Sequence, residues 1–283
     1  MKTRPFLALF VSPAALAALA LVGALAAILQ YAFRAFVPGS MEPGGLTLAN
    51  FEALLRPLYA GVFLQTVWIC LITALVTLVV AYPLAYAIVR SRSVTLKSFL
   101  LITALTPMFL GEVVRTYSWI IVLGNSGFIN SVLRGLGLIE RPIQLMFTTT
   151  GVVIALVHVT LPIMTIMLAA ALSHIDAAYE KAATSLGAGP VRVFLTVTLP
   201  LSMPGIVAGV TTAFAWTFSA FATPQMIGGG RVPMVSTLIY QLGFASFNFP
   251  FAAALSVTGL ALTFAVLALA KAALSPLERM GAH

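Results

Sequence analysis

From Pro5 to Phe33 the chain carries no charged side chain. Roughly 20 apolar residues cross the hydrocarbon core of a bilayer, so this run can span and has no polar face with which to meet water. Similar runs recur, and they place helices at about 6–35, 60–89, 98–122, 145–173, 204–224 and 250–274. Only 8% of the residues are charged and 61% are hydrophobic, whereas a soluble domain carries about 25% charged residues. A water-soluble globule of this chain could not cover its surface with polar groups. The fold class is therefore all-α integral membrane protein with six transmembrane helices, because backbone in lipid must satisfy its own hydrogen bonds. Repeats and low-complexity segments are absent, so residues 1–283 read as a single transmembrane domain.

Within these runs lie Pro13, Pro83, Pro107 and Pro162, where kinks are expected. At the start, Lys2 and Arg4 precede the first run and Ala18-Leu19-Ala20 has the small-residue spacing of a cleavage site. The apolar stretch is longer than the roughly 7–15 residues of a signal core, and it reads as a retained first helix. The formal charge of +8 comes from cations scattered singly, which make no nucleic-acid patch. With the N-terminus inside, Lys2, Arg4, Arg90, Arg92, Lys97, Lys181, Arg192, Lys271 and Arg279 fall on the inner side. Arg34, Arg56, Arg134, Arg141 and Arg231 fall on the outer side. This bias places both termini, and the segment between spans four and five, in the cytoplasm.

That segment, about 175–203, contains "EKAATSLGAGPVRVFLTVTLP" between two oily stretches. Asp176 suits a helix N-cap, and Glu180 lies in the first turn, where the helix dipole favours an anion. Ile175, Ala178, Tyr179, Ala182 and Leu186 recur at helical spacing and make one apolar face. Gly187 suits a left-handed C-cap, and Pro190 the first turn of a second short helix. Pro200 and Pro204 then end that helix and re-aim the chain into the fifth span. Physical chemistry alone allows both an interfacial loop and a rigid knob for a cytoplasmic partner.

The spacing resembles the signature loop of ABC-transporter permeases. Ala182-Ala183, three residues, Gly187, the nine residues 188–196, Val197, one residue and Leu199-Pro200 reproduce it. One position departs: the family's Glu falls on Lys181, with Glu180 one residue earlier. "LTLANFEALL", "TVWICLITALVTLVVAYPLAYAIVR", "VVRTYSWIIVLGNSGFINSVL" and "FATPQMIGGG" are similar to the polyamine-type (spermidine/putrescine) branch, so the likeness covers roughly residues 46–270. The resemblance implies a type I importer permease in the bacterial cytoplasmic (inner) membrane, with coupling helices that insert into a groove of an ATPase. It makes Glu180, Lys181, Ala182, Ala183, Gly187, Leu199 and Pro200 the ATPase-coupling residues. It also implies as partners two ATPase subunits, a second and different permease chain, an extracytoplasmic binding protein and a small solute such as a polyamine.

No Gly-x-x-x-x-Gly-Lys-Ser/Thr loop occurs, and Gly228-Gly229-Gly230 lacks the Lys and hydroxyl that cradle nucleotide and magnesium. The chain is therefore expected to be no enzyme and to bind no cofactor or metal, with ATP and Mg on the partner ATPases. Cys70 stands alone in an apolar run and offers neither a disulfide nor a thiolate metal site.

Glu112 and Arg115 stand one turn apart on the third span, where they can meet on one face. Tyr117 and Trp119 follow. The group reads either as a self-neutralising pair near the outer interface or as part of a translocation path. Trp216, Phe218 and Phe221 on the fifth span either line that path by cation–π contact or pack between helices. His158 is either a packing residue or a proton relay, and Gly228–Gly230 with Arg231 form an outer loop, in contact with the binding protein or merely a flexible turn. Two other classes compete. Gly124-Asn125-Ser126-Gly127 resembles the motif of rhomboid-type intramembrane serine proteases, but residues 250–274 hold no His to serve as base. A secondary transporter needs coupling-ion sites at mid-membrane, for which the spans offer only Glu112, Arg115 and His158. An enzyme using paired aspartates fails because Asp176 is the sole Asp.

Overall fold

The computed structural model describes the backbone of residues 3–40 and 42–280, and side chains over 11–40 and 42–272. Lys2, and the side chains of Arg4 and Arg279 that enter the inner-side charge count, lie outside the described residues. Four helices are long and apolar enough to cross a bilayer: Val11–Ala32 within α1 (Thr3–Ala32), α3 (Pro57–Arg90), α7 (Thr149–Ser173), and Phe249–Ala272. Two bent pairs bring the number to as many as six, counting each pair as one span.

One of these bent pairs replaces a straight helix anticipated from hydropathy. The third span, expected as 98–122, is α4 (Val94–Leu105), a 3-10 turn over Thr106–Phe109 and α5 (Glu112–Leu123). The two arms, Val94–Phe109 and Glu112–Gly135, meet at 108°. Pro107 explains the break: its ring removes a backbone donor and crowds the preceding turn, and the chain then runs extended at Leu110 before restarting after Gly111. Helix α6 (Phe128–Gly135) completes that arm. At Pro13, Pro83 and Pro162 the helices run on without a break. The fifth span, expected at 204–224, is the single helix Met203–Ser219, which follows the short helical segment Pro190–Leu201 at 68°.

The chain divides into two compact units. In the unit of Met1–Gly61 with Leu238–Ala261, the Asn50 amide on α2 (Ala49–Leu54) donates to the carbonyls of Ala32 (2.9 Å) and Arg34 (2.8 Å). It thereby satisfies acceptors that the end of α1 leaves unpaired. Tyr59 meets the edge of Phe251 with ring centroids 4.9 Å apart. Along α1 from Val11 to Gln30 the side chains are exposed, which is the surface that lipid or another membrane helix can cover.

The unit of Val62–Thr237 with Leu262–His283 holds two apolar clusters. One gathers Ile69, Leu123, Leu156, Phe214 and Ile227. The other gathers Ala81, Tyr82, Leu168, Leu172 and Ile206. Helix α11 (Met203–Ser219) comes close to α7 through its small residues. A Cβ on Gly205 would overlap Ala171, and one on Gly209 would overlap the Met164 sulfur, the close approach that small residues permit in membranes. Buried hydroxyls tie helices together: Thr77 to Thr160 at 2.8 Å and Tyr82 to Ser202 at 2.7 Å.

Candidate functional site

Helix α3 has 34 residues, which at 1.5 Å per residue is about 50 Å, against about 30 Å of hydrocarbon. Its last turn, with Tyr86 and Arg90, therefore has length to spare beyond the lipid. The segment after α7 folds against that end. Helix α8 (Ala177–Ser185) begins at Asp176, whose carboxylate accepts from the Ala178 amide at 2.8 Å. It ends at Gly187, where φ is +85°. The Gly187 amide donates to Thr184 (2.9 Å) and the Ala188 amide to Ala183 (3.1 Å), the paired bonds of a Schellman cap. Pro190 then opens α9 (Pro190–Val193), which continues through a π-helical turn, Phe194–Thr198, into α10 (Leu199–Leu201). Pro200 lies in α10 and Pro204 in the first turn of α11, on either side of the 68° bend.

The anticipated apolar face of this hairpin divides in two. Ile175 is buried in the second cluster, while Tyr179 is 58% exposed and Leu186 89%. Val191 is exposed as well, and so are Lys181, Ala182 and Arg192. Ala183, Leu199 and Pro200 are half-buried. The hairpin thus presents apolar side chains and two cations outward.

Glu180 points the other way. Its Oε1 accepts from Arg90 Nη2 at 3.0 Å and from Thr198 Oγ1 at 2.9 Å, and the Tyr86 hydroxyl donates to Oε2 at 3.5 Å. Arg90 Nη1 also donates to the Ile175 carbonyl at 3.0 Å. One carboxylate therefore joins α3, α8 and the π-helical turn, and its ion pair with Arg90 is the only one among the described residues. Next to it opens a cleft of about 660 Å³ between Tyr86, Lys181, Thr184 and Phe194. Tyr86, Arg90 and Thr198 are partners that the sequence reading did not assign to this site. Arg90 was visible only as an inner-side cation, and nothing local marks a contact with a residue ninety positions further along the chain.

At the bend of the third span the expected meeting of Glu112 with Arg115 does not occur. Glu112 is exposed in the first turn of α5. Arg115 is buried, and its Nη1 donates to the Pro107 carbonyl at 3.0 Å. Its Nε has no partner. The break at Pro107 turns that carbonyl out of regular helix geometry, and the guanidinium takes it instead of the carboxylate one turn away. Trp119 donates its indole N–H to His158 Nδ1 at 3.1 Å, with the rings edge to face, so that nitrogen of His158 is an acceptor. Phe218 stacks on Phe214 at 6.3 Å and lies against the first cluster, whereas Trp216 is 52% exposed. The path candidates thus fall in different environments: Trp119 and Phe218 lie against the first cluster, Arg115 is buried at the bend, and Glu112 and Trp216 are exposed.

Gly124–Gly127 is a tight turn between α5 and α6, closed by the Gly127 amide on the Gly124 carbonyl at 2.8 Å. A Cβ on Gly127 would overlap the carbonyls of Ile121 and Val122, so close backbone accounts for this glycine. Helix α12 (Ala222–Gly228) ends with Gly229 and Gly230 at positive φ. Gly229 leaves room for the Phe147 ring, over which Arg231 lies at 5.8 Å.

Residues 81–276 match the family described as binding-protein-dependent transport system inner membrane component. The spermidine/putrescine transport system permease protein PotB of Salmonella typhimurium (strain SL1344) is 33% identical over 212 residues, 75% of this chain and 74% of that protein. The inner membrane ABC transporter permease protein YdcU of Escherichia coli (strain K12) is 29% identical over 263 residues, covering 88% and 83%. Among solved structures, a chain of a bacterial alginate ABC transporter superposes with a TM-score of 0.80 at 17% identity, over 98% of this chain and 96% of that one. The fold is that of a type I importer permease.

Proposed function

The chain belongs to the family of binding-protein-dependent transport system inner membrane components, as a permease subunit of an ABC importer, and on that premise we propose that its hairpin of short helices receives mechanical work from separate ATPase subunits. The observation that carries this reading is the build of the hairpin. Two short helices are joined at Gly187, the first of them capped at both ends and tied to α3 through Glu180, and they bear an exposed apolar tip of Tyr179, Leu186 and Val191. A loop lying loosely in the interface has no need of that bracing. A knob that must pass a push into the membrane does.

In this reading both termini and the hairpin face the cytoplasm. Two ATPase subunits carry ATP and Mg, a second, different permease chain completes the pathway, and an extracytoplasmic binding protein delivers the solute. Closure of the ATPases rocks the helices and opens the pathway outward. The likeness to PotB supports a polyamine or similar small organic solute. Glu112, with its exposed carboxylate, and Trp216 are the side chains free to meet it. Uptake into vesicles holding the complete complex tests the energy source. A non-hydrolysable nucleotide is expected to abolish uptake with the ion gradient intact; uptake that follows the gradient and ignores the nucleotide would instead establish a secondary transporter.

A further inference from the structure

We propose that Arg90, Glu180 and Thr198 form an internal clasp that positions the hairpin on the end of α3, and that Lys181, not Glu180, is the charged side chain offered to the ATPase. The inference rests on the docking role proposed above. Two other elements, α3 and the π-helical turn, reach the carboxylate of α8 within 3.0 Å, and a second arm of Arg90 holds the Ile175 carbonyl where α7 turns into α8. A guanidinium can hold two acceptors in fixed directions where an ammonium cannot. The side chains of Arg90 and Glu180 are 19% and 15% exposed, so water competes weakly for them and the pair differs from a solvated surface bridge. Oε1 accepts two bonds from inside the chain, and the charge of Glu180 is already matched by Arg90, which leaves it less to offer a partner. Lys181, one residue on, is exposed at the rim of the cleft and has no carboxylate within ion-pair reach among the described residues. Glu180 is thus a positioning residue: it keeps the hairpin from swivelling when pushed, so that displacement reaches α3.

The test uses the complex in vesicles with its own ATPase subunits. Glu180→Gln keeps the shape and one acceptor but removes the charge that holds Arg90. Its expected phenotype is normal retention of the ATPase subunits, ATP hydrolysis within about twofold of wild type, and solute taken up per ATP lowered about tenfold. Arg90→Gln behaves alike, and the double variant is no worse than either single one, since both break the same clasp. A merely structural role would depress assembly, hydrolysis and uptake together. Loss of the ATPase subunits from Glu180→Gln, with retention in Lys181→Glu, would overturn the proposal by placing Glu180 at the partner contact. Additive losses in the double variant, or normal uptake per ATP, would overturn it equally.

A second measurement needs no partner. Spin labels at Arg92 and Ser185, both exposed, with Cys70 replaced by Ala, are expected to give a narrow distance distribution that broadens in Glu180→Gln. An unchanged distribution contradicts the clasp. A wild-type complex that shows no ATP-driven uptake would instead remove the docking role, and the spin-label result then decides the clasp alone.

Discussion

Two ionised side chains stand at the edges of this structure's helices, and they solve the same problem differently. Glu180 in the hairpin is matched by a full opposite charge, Arg90, together with two hydroxyls. Arg115, at the bend of the third span, makes no ion pair with the carboxylate one turn away and takes a single backbone carbonyl, with no hydrogen-bond partner at its Nε. Neighbours in sequence are therefore a poor guide to partners where a helix is broken. A freed carbonyl competes with a side-chain carboxylate for the buried guanidinium. The first site is a charge pair that resists loss of either member. The second is a charge whose removal relieves part of its own burial cost.

That contrast sets the order of the expected effects. Arg90→Met leaves a half-buried Glu180 with hydroxyl partners only, and thermal unfolding in detergent is expected to show a loss of about 2–3 kcal/mol. Gly187→Val comes next. No atom lies within 4 Å of a Cβ built there, so its cost is the left-handed backbone, about 1–2 kcal/mol for a branched residue. Hydrolysis without matching uptake should accompany it, while Gly187→Asn, which tolerates that conformation, should stay near wild type in both assays. Arg115→Met is expected to cost at most about 1 kcal/mol, because the lost bond to Pro107 is offset by removal of a poorly paired charge. A loss as large as that of Arg90→Met would erase the distinction between the sites. Trp119→Phe removes one hydrogen bond to His158 and should cost about 1 kcal/mol or less by the same assay. The smallest effect belongs to Glu112→Gln: within about 0.5 kcal/mol in stability, because Glu112 does not hold Arg115.

The two sites also differ in how far they could be read from sequence. The ends of the hairpin were legible at Asp176, Gly187 and Pro190, since caps are local and each depends on one residue's side chain or backbone freedom. The sixfold count of spans was legible because lipid demands long apolar runs. A kink was expected at Pro107, but hydropathy cannot tell how far a run is folded, so its 108° angle was out of reach. With it went the geometry that separates Arg115 from Glu112. The Arg90–Glu180 pair was illegible for another reason: helical spacing predicts contacts three or four residues apart, and this one joins two helices through tertiary packing. Glu180 could be placed in a first turn, but not its direction, inward to α3.

All of this bears on whether the exposed tip of the hairpin meets a motor. The most direct measurement is cross-linking from a cysteine placed at Leu186, with Cys70 replaced by Ala, in the complete complex as purified. The account predicts a covalent product between this chain and a nucleotide-hydrolysing subunit. Recovery of the complex with position 186 joined to no such subunit, or to a protein on the outer face of the membrane, would contradict it.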